Sequence, residues 1–382
     1  MKVRLGPLRL LHLHSSFAAG GKELRAAQLM NAFGAGAVHT VVSAQPGELG
    51  AAAALDRVVA VSFPDDFPAL SGRPTPGRLQ RLARAMRDFD LVLTYNWGAM
   101  DAAMAHTLFG ERLRLPPLVH HEDGFNQDEA RRLSRLRNWY RRLALGRARA
   151  VIVPSRRLET IARGAWQQPA GKVMRIANGI RVADYATKPQ ADAIPGLTKR
   201  PGELWVGTLA GLRPVKNLPG LVRAFAALPA PWRLVILGEG PERAAILADA
   251  ARLGLGDRVV LPGFVANPAA VMGLFDLFAL SSDSEQFPVS VVEAMAAGLP
   301  VAAPQVGDIA AMVAQQNAPF LAEPGDEAGL AAALLALAGD ADLRAAIGVA
   351  NRARAAAEYD EGRMVSAYRR VYAKALRQHS FP

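Results

Sequence analysis

Two glutamates, Glu285 and Glu293, stand eight positions apart in the run Ser284-Glu285-Gln286-Phe287-Pro288-Val289-Ser290-Val291-Val292-Glu293-Ala294-Met295-Ala296-Ala297-Gly298-Leu299-Pro300-Val301. Paired carboxylates can work as acid and base, or they can accept hydrogen bonds from hydroxyls. A glycosidase pair flanks the scissile bond from two sides. These two are joined by a tight loop and a helix start, so hydrogen bonding to sugar hydroxyls suits them better. Upstream, Gly207-Thr208-Leu209-Ala210-Gly211-Leu212-Arg213-Pro214-Val215-Lys216-Asn217 carries an arginine and a lysine to the start of an apolar helical pattern. Cations are unfavourable at a helix start unless an anion meets them. Arg213 offers a planar fork, Lys216 a point charge, and the helix its first amides. Together they suit a diphosphate.

Three other clusters could do chemistry. Leu118-Val119-His120-His121-Glu122-Asp123-Gly124 puts two imidazoles and two carboxylates at the end of an apolar run. Either acid could orient an imidazole or bind a hydroxyl. Phe17-Ala18-Ala19-Gly20-Gly21-Lys22-Glu23 has a glycine pair that lets the backbone approach a ligand. It lacks the spacing of a phosphate-binding P-loop and of a dinucleotide fingerprint. Gly238-Glu239-Gly240-Pro241 is likewise no dinucleotide signal; a plain turn and a ligand-side loop are both open for it.

These residues need a scaffold. Short apolar runs alternate with helical patterns throughout, which predicts parallel sheets flanked by helices. Strands are expected at 8–13, 40–43, 58–61, 91–95, 118–120, 150–153 and 173–176. In the second half they are expected at 204–206, 234–237, 259–261, 277–280, 300–303 and 319–321. The polar, proline-bearing stretch 187–196 is the expected linker. Two doubly wound α/β domains are therefore expected, 1–185 and 186–358, facing a cleft, with a final helix at 359–382. Each cluster above follows a strand, at the edge where ligands bind in open parallel sheets.

The run from Glu285 to Val301 resembles the E-x7-E signature of retaining GT-B glycosyltransferases, most closely family 4. The Gly207 to Asn217 loop is similar to that family's Gly-x-Leu loop with its basic residue and lysine. The resemblance implies a GT-B fold of two Rossmann-like domains, with the first binding acceptor, the second binding a nucleotide sugar, and the last helix crossing back to the first. It implies catalytic roles for Glu285, Arg213, Lys216 and His120. Donor contacts would come from Gly20, Gly21, Gly207, Gly238, Val265, Phe287, Pro288, Val289 and Glu293. Phe287, Pro288 and Val289 would lend backbone amides, Glu285 would meet the donor sugar, and Glu293 the ribose. His121, Glu122 and Asp123 would meet the acceptor. No metal or other cofactor is expected: Asp283-Ser284-Glu285 does not stand where the Asp-x-Asp motif of GT-A enzymes would. The implied activity is transfer from a nucleoside-diphosphate sugar to a hydroxyl, in lipopolysaccharide, exopolysaccharide or lipid-linked glycan synthesis. A sugar-nucleotide epimerase on the same fold and a non-catalytic nucleotide-sugar binder are the alternatives.

The chain has 382 residues, a formal net charge of +11 and no cysteine. Disulfides and thiolate metal sites are excluded. No apolar run reaches the roughly 18 residues of a membrane span, and the start Met1-Lys2-Val3-Arg4 does not lead into a signal-peptide core. A cytoplasmic location is expected, with peripheral membrane attachment as a further option. Two arginine clusters supply much of the charge: Arg78, Arg81, Arg84 and Arg87, then Arg131, Arg132, Arg135, Arg137, Arg141, Arg142, Arg147 and Arg149. Helices this basic suit an anionic membrane surface. Without stacking strands or zinc fingers, a nucleic-acid partner is not expected.

Overall fold

The structure, a computed structural model, describes residues 6–125, 129 and 133–382. Arg131, Arg132 and the first five residues of the chain lie outside the described residues. Among the described residues, thirteen strands form two all-parallel sheets. The chain divides into two compact units, Met1–Ala177 with Met364–Pro382, and Asn178–Arg363. The stretch at 187–196 lies inside the second unit, where Ile194 is buried and bridges to Leu197. The chain crosses between units earlier, at the Asn178-Gly179 turn, and returns after Arg363.

In unit 1 the strands are β1 (Leu8–His14), β2 (Ala37–Ser43), β3 (Ala60–Ser62), β4 (Leu91–Tyr95), β5 (Leu118–His121), β6 (Ala150–Val153) and β7 (Val173–Arg175), in the order β3-β2-β1-β4-β5-β6-β7. Strand side chains alternate between faces; the inner strands β4, β5 and β6 are buried on both, whereas the edge strands β3 and β7 are partly exposed. Leu10, Leu93, Val119 and Ile152 enter one core, together with the helix Gly21–Phe33 and the last helix. Leu11, Val92, Leu118 and Val151 enter the other. The last helix, Glu361–Leu376, buries Met364, Val365, Tyr368, Val371 and Tyr372. Its apolar face is completed by the sheet of unit 1, which is why the chain returns there.

Unit 2 has β8 (Leu204–Leu209), β9 (Trp232–Leu237), β10 (Val259–Gly263), β11 (Leu277–Ala279), β12 (Val301–Pro304) and β13 (Leu321–Ala322), in the order β10-β9-β8-β11-β12-β13. The winding direction reverses between β8 and β11 here, and between β1 and β4 in unit 1. In doubly wound sheets a crevice opens at such a switch point beyond the strands' carboxyl ends. The loops leaving β8 and β11 carry the basic pair and the first glutamate.

Candidate active site

The two loops meet. Lys216 Nζ donates to Glu285 Oε1 at 2.5 Å, and Ser282 Oγ donates to the same oxygen at 2.7 Å. Ser281 Oγ donates to the Lys216 carbonyl at 2.9 Å, and the Asp283 amide to the Val215 carbonyl at 2.9 Å. Asn217 turns the chain into the helix Leu218–Phe225 with φ 45° and ψ 43°, and its amide group donates to Asp283 at 3.3 Å. Arg213 is exposed, and its side chain has no ion pair or hydrogen bond among the described residues. Lys216 is thus held by Glu285, and Arg213 stands uncompensated before a helix start, where an anion would be favoured.

The adjoining turn fixes this loop from below. Gly238 has φ 147°, a backbone state that side chains rarely allow, and a Cβ there would overlap the Ala210 carbonyl oxygen. The Ala210 amide donates to Leu237, the Leu212 amide to Glu239, and the Glu242 amide to Leu212. Gly238 thus braces the basic loop through backbone contact. Gly207 lies buried in β8, where a Cβ would overlap the Phe275 ring; close packing explains this glycine. Val265 is half-buried, next to an exposed Phe264.

Glu293 lies in the helix Val289–Ala296, and Tyr185 Oη donates to its Oε1 at 3.1 Å. Burial pushes its carboxyl up to about 7, and the Tyr185 hydrogen bond opposes that rise. Phe287 is buried with its ring edge-on to Tyr359, the centroids 5.7 Å apart. The amides of Phe287 and Val289 have no partner among the described residues. Pro288 is the exception to the three expected amides: proline has no N–H, so it can only set the backbone before the helix.

In unit 1 the doubled histidine is divided by the strand's alternation. His120 points to one core, its Nδ1 2.9 Å from Thr94 Oγ1 and its Nε2 3.6 Å from Glu122 Oε2. Arg141 Nε is also 3.6 Å from that oxygen, and the Arg141 guanidinium donates to both oxygens of Glu129. His121 points to the other core. Its Nδ1 lies 3.2 Å from the Thr94 carbonyl and its Nε2 2.9 Å from Tyr372 Oη, and the ring stacks on Tyr95. Burial and then the Arg25 charge lower its pKa to about 3. His120, His121 and Glu122 are at most 1% exposed, so the direct sugar and acceptor contacts expected of them meet no solvent-facing surface here. Asp123 keeps some exposure. Burial would raise its pKa, but Arg25, which donates to Oδ2 at 2.8 Å, holds it below the usual carboxylate range.

Gly20 caps the helix Gly21–Phe33 with extended backbone, and Gly21 faces open space. Lys22, beside them and paired with Glu23, is lowered by burial to about 8. Sequence reasoning missed Ser282, Tyr185, Arg25 and Arg141. Ser282 follows β11 and was within reach of a loop-based reading. Tyr185 and Arg25 meet their partners from distant parts of the chain, and Arg141 meets Glu129 within an arginine-rich stretch where nothing local singles it out.

Residues 10–184 match the family model described as Glycosyltransferase Family 4, and residues 200–340 the one described as Glycosyl transferases group 1. Between them the two models span most of the chain. Both parts of the chain thus match glycosyltransferase family models, and the fold is GT-B. Over 96% of its length it is similar in fold to the whole of the Anabaena protein HepE, solved in complex with UDP, with a TM-score of 0.80 and 24% identity. It is 31% identical over 171 residues to the N-acetyl-alpha-D-glucosaminyl L-malate synthase of Bacillus anthracis, covering 44% of this chain and 45% of that protein. It is 31% identical over 245 residues to the phosphatidyl-myo-inositol mannosyltransferase of Mycobacterium leprae, covering 62% of this chain and 61% of that one. The chain spans about half the length of the curated relatives it matches first. No helix among the described residues of this GT-B chain is long and apolar enough to cross a membrane.

Proposed function

We propose that the protein is a retaining glycosyltransferase that moves a sugar from a nucleoside-diphosphate sugar to an acceptor hydroxyl. The observation that carries this reading is the Lys216–Glu285 pair beside an unpaired Arg213 at the switch point of the second sheet. Arg213, Lys216 and the amides of Phe287 and Val289 bind the diphosphate, and the two side chains neutralise charge as it departs. Glu285, already oriented by Lys216 and Ser282, accepts hydrogen bonds from the donor sugar. Glu293 accepts from the ribose. In the step itself the acceptor oxygen bonds to the anomeric carbon on the face from which the diphosphate leaves. The bond from that carbon to the phosphate oxygen breaks, and the diphosphate takes the acceptor's proton. Side-chain cations serve the leaving group, so the reaction proceeds without a metal.

Gly20 and Gly21 supply a loop for the acceptor or the donor phosphate, and Asp123 is the acidic residue with access to an acceptor hydroxyl. His120, His121 and Glu122 act from behind as positioning groups. The acceptor is a glycan or lipid-linked glycan of the lipopolysaccharide, exopolysaccharide or related type, met at an anionic membrane surface on the cytoplasmic side. A lipopolysaccharide core glycosyltransferase of Rhizobium meliloti is among the relatives, at 28% identity over 153 residues. UDP is the first nucleotide to try, because the Anabaena protein of like fold was solved with UDP and with UDP-glucose.

The test is a thermal-shift panel of UDP, GDP, ADP and CMP and their sugars, without added metal. A ligand at 100 times its dissociation constant stabilises the fold by about 2.7 kcal/mol. One nucleotide family is expected to raise the midpoint, with the rise lost in Arg213→Ala and Lys216→Ala. Incubation of that donor with a glycan acceptor should then give a product whose anomeric configuration by NMR equals the donor's. A folded sample that none of the nucleotides stabilises overturns the reading, and so does an epimerised sugar nucleotide formed without acceptor.

A further inference from the structure

The helix Arg135–Ala144 is packed inside out. A helix on the surface of a water-soluble domain turns its apolar stripe to the core and its charges to water. Here Arg141 is fully buried: it is paired with Glu129 and lies over the rings of Trp97, Phe125 and Trp166 at 4.9, 5.3 and 5.3 Å. Arg137 reaches Glu129 at 3.1 Å and lies over Trp97 as well. Leu136, Trp139 and Leu143 face outward instead, 76%, 57% and 41% exposed. Their spacing of three and four places them on one stripe along the helix. Arg135 and Arg142, both exposed, flank that stripe.

The surroundings share the same sign of charge. The helices Pro76–Ala85, Met100–Phe109 and Arg135–Ala144 pack side by side over one face of the unit 1 sheet, in a common core with Leu79, Leu82, Met100, Ala103 and Ala144. Arg81 and Arg84 point outward from the first of them, and Arg87 is exposed just past its end. Arg78 does not: it donates to Asp101 at 2.6 Å and to the carbonyls of Ala69 and Gly72. Leu108, at the end of the middle helix, is exposed too. The layer therefore presents one tryptophan and several leucines among arginines.

We propose that this layer is a membrane-docking face, with Leu136, Trp139 and Leu143 entering the headgroup region of an anionic bilayer and Arg135, Arg142, Arg81, Arg84 and Arg87 meeting its phosphates. Charge complementarity selects the occupant. Exposed leucines with a tryptophan gain by entering an acyl boundary, the tryptophan settles at the headgroup level, and each arginine near an anionic surface adds to binding. A nucleic acid would use the arginines and leave the leucines in water. The inference deepens the acceptor side of the reading above, but it needs no nucleotide and no turnover, so either can fail without the other.

The test is flotation of the full chain with two kinds of vesicle, phosphatidylcholine alone and phosphatidylcholine with about 30% phosphatidylglycerol, at low and high salt. Binding is expected to the anionic vesicles only, and to weaken with salt. The double variant Trp139→Glu, Leu143→Glu should lose about tenfold or more in partitioning, while keeping the wild-type melting temperature and the wild-type shift with UDP. Arg81→Glu, Arg84→Glu, Arg87→Glu should lose binding mainly at low salt. Trp139 is the most exposed of the five tryptophans; vesicles should shift the emission to the blue in the wild type and leave Trp139→Phe emission unmoved. Binding that survives the double glutamate variant overturns the proposal. So does an absence of vesicle binding at any salt. A concentration-dependent dimer that the same variant dissolves would give the face to a second copy instead.

Discussion

At the scale of the residue, Glu293 joins structure to a pH dependence. Its carboxyl sits at about 7 because burial disfavours the charged form. In the role proposed for Glu293, ribose hydroxyls would donate to it and favour the charged form, so donor binding would lower the pKa and release a proton. Affinity for a UDP-sugar is then expected to rise as pH passes up through about 7 and to level off above, by about tenfold for each unit the bound pKa falls. A sugar nucleotide is the right probe, since its diphosphate does not titrate in this range. Calorimetry at pH 6 and pH 8 reads both the affinity and the released proton. Glu293→Gln should flatten the profile. Tyr185→Phe removes the hydrogen bond that opposes the rise, so its inflection should move to higher pH. An unchanged slope in Glu293→Gln would remove Glu293 from the donor site. In the free protein the sign is opposite: with the folded value above the usual 4.5, this group favours the fold below that value and the contribution is lost as pH rises through about 7.

At the scale of the element, the last helix is tied to β5 by a buried hydrogen bond, His121 Nε2 to Tyr372 Oη at 2.9 Å. Removing the hydroxyl strands a buried ring nitrogen. Tyr372→Phe is expected to destabilise the protein by about 1–3 kcal/mol, measured by urea denaturation. A variant as stable as the wild type would show that the pair contributes nothing. The helix was legible in the sequence from its apolar spacing, and its return to the first domain was implied by family likeness. The histidine that holds it was legible only as one of two neighbours. Alternation on a strand sends adjacent residues to opposite faces, and which face each core occupies depends on the helices that cover it.

At the scale of the whole molecule, the histidines are unevenly shared. All seven belong to unit 1 and none to unit 2. Burial is the main cause that lowers His12, His14, His39, His106 and His121, with His39 at about 4 and His121 at about 3. These rings are neutral in the fold and charge in the unfolded chain near 6.5. Their stabilisation is present above that value and is lost as pH falls toward 4, at up to about 1.4 kcal/mol per pH unit for each ring. Unit 1 is therefore expected to lose stability between pH 6.5 and pH 4 through a term unit 2 lacks. Hydrogen exchange resolved by peptide at pH 7 and pH 5, corrected for intrinsic rates, measures it. Equal protection of unit 1 at both values would refute the expectation.

The sequence by itself determined the class of fold and located the candidate site of the second unit. Apolar runs buried on both faces of a parallel sheet are continuous in the chain, so the strands could be located, and Arg213, Lys216, Glu285 and Glu293 carry their meaning in type and short spacing. Tertiary structure decided which of these groups touch, and it decided orientation. Lys216 and Glu285 meet because the winding reverses between β8 and β11. Tyr185 reaches Glu293 from outside any motif. His120 and His121 part to two cores, and the helix Arg135–Ala144 turns Arg137 and Arg141 inward because Glu129 and aromatic rings wait there. Charge and hydropathy along a chain say which side chains could be buried; only the partners gathered around them settle which are.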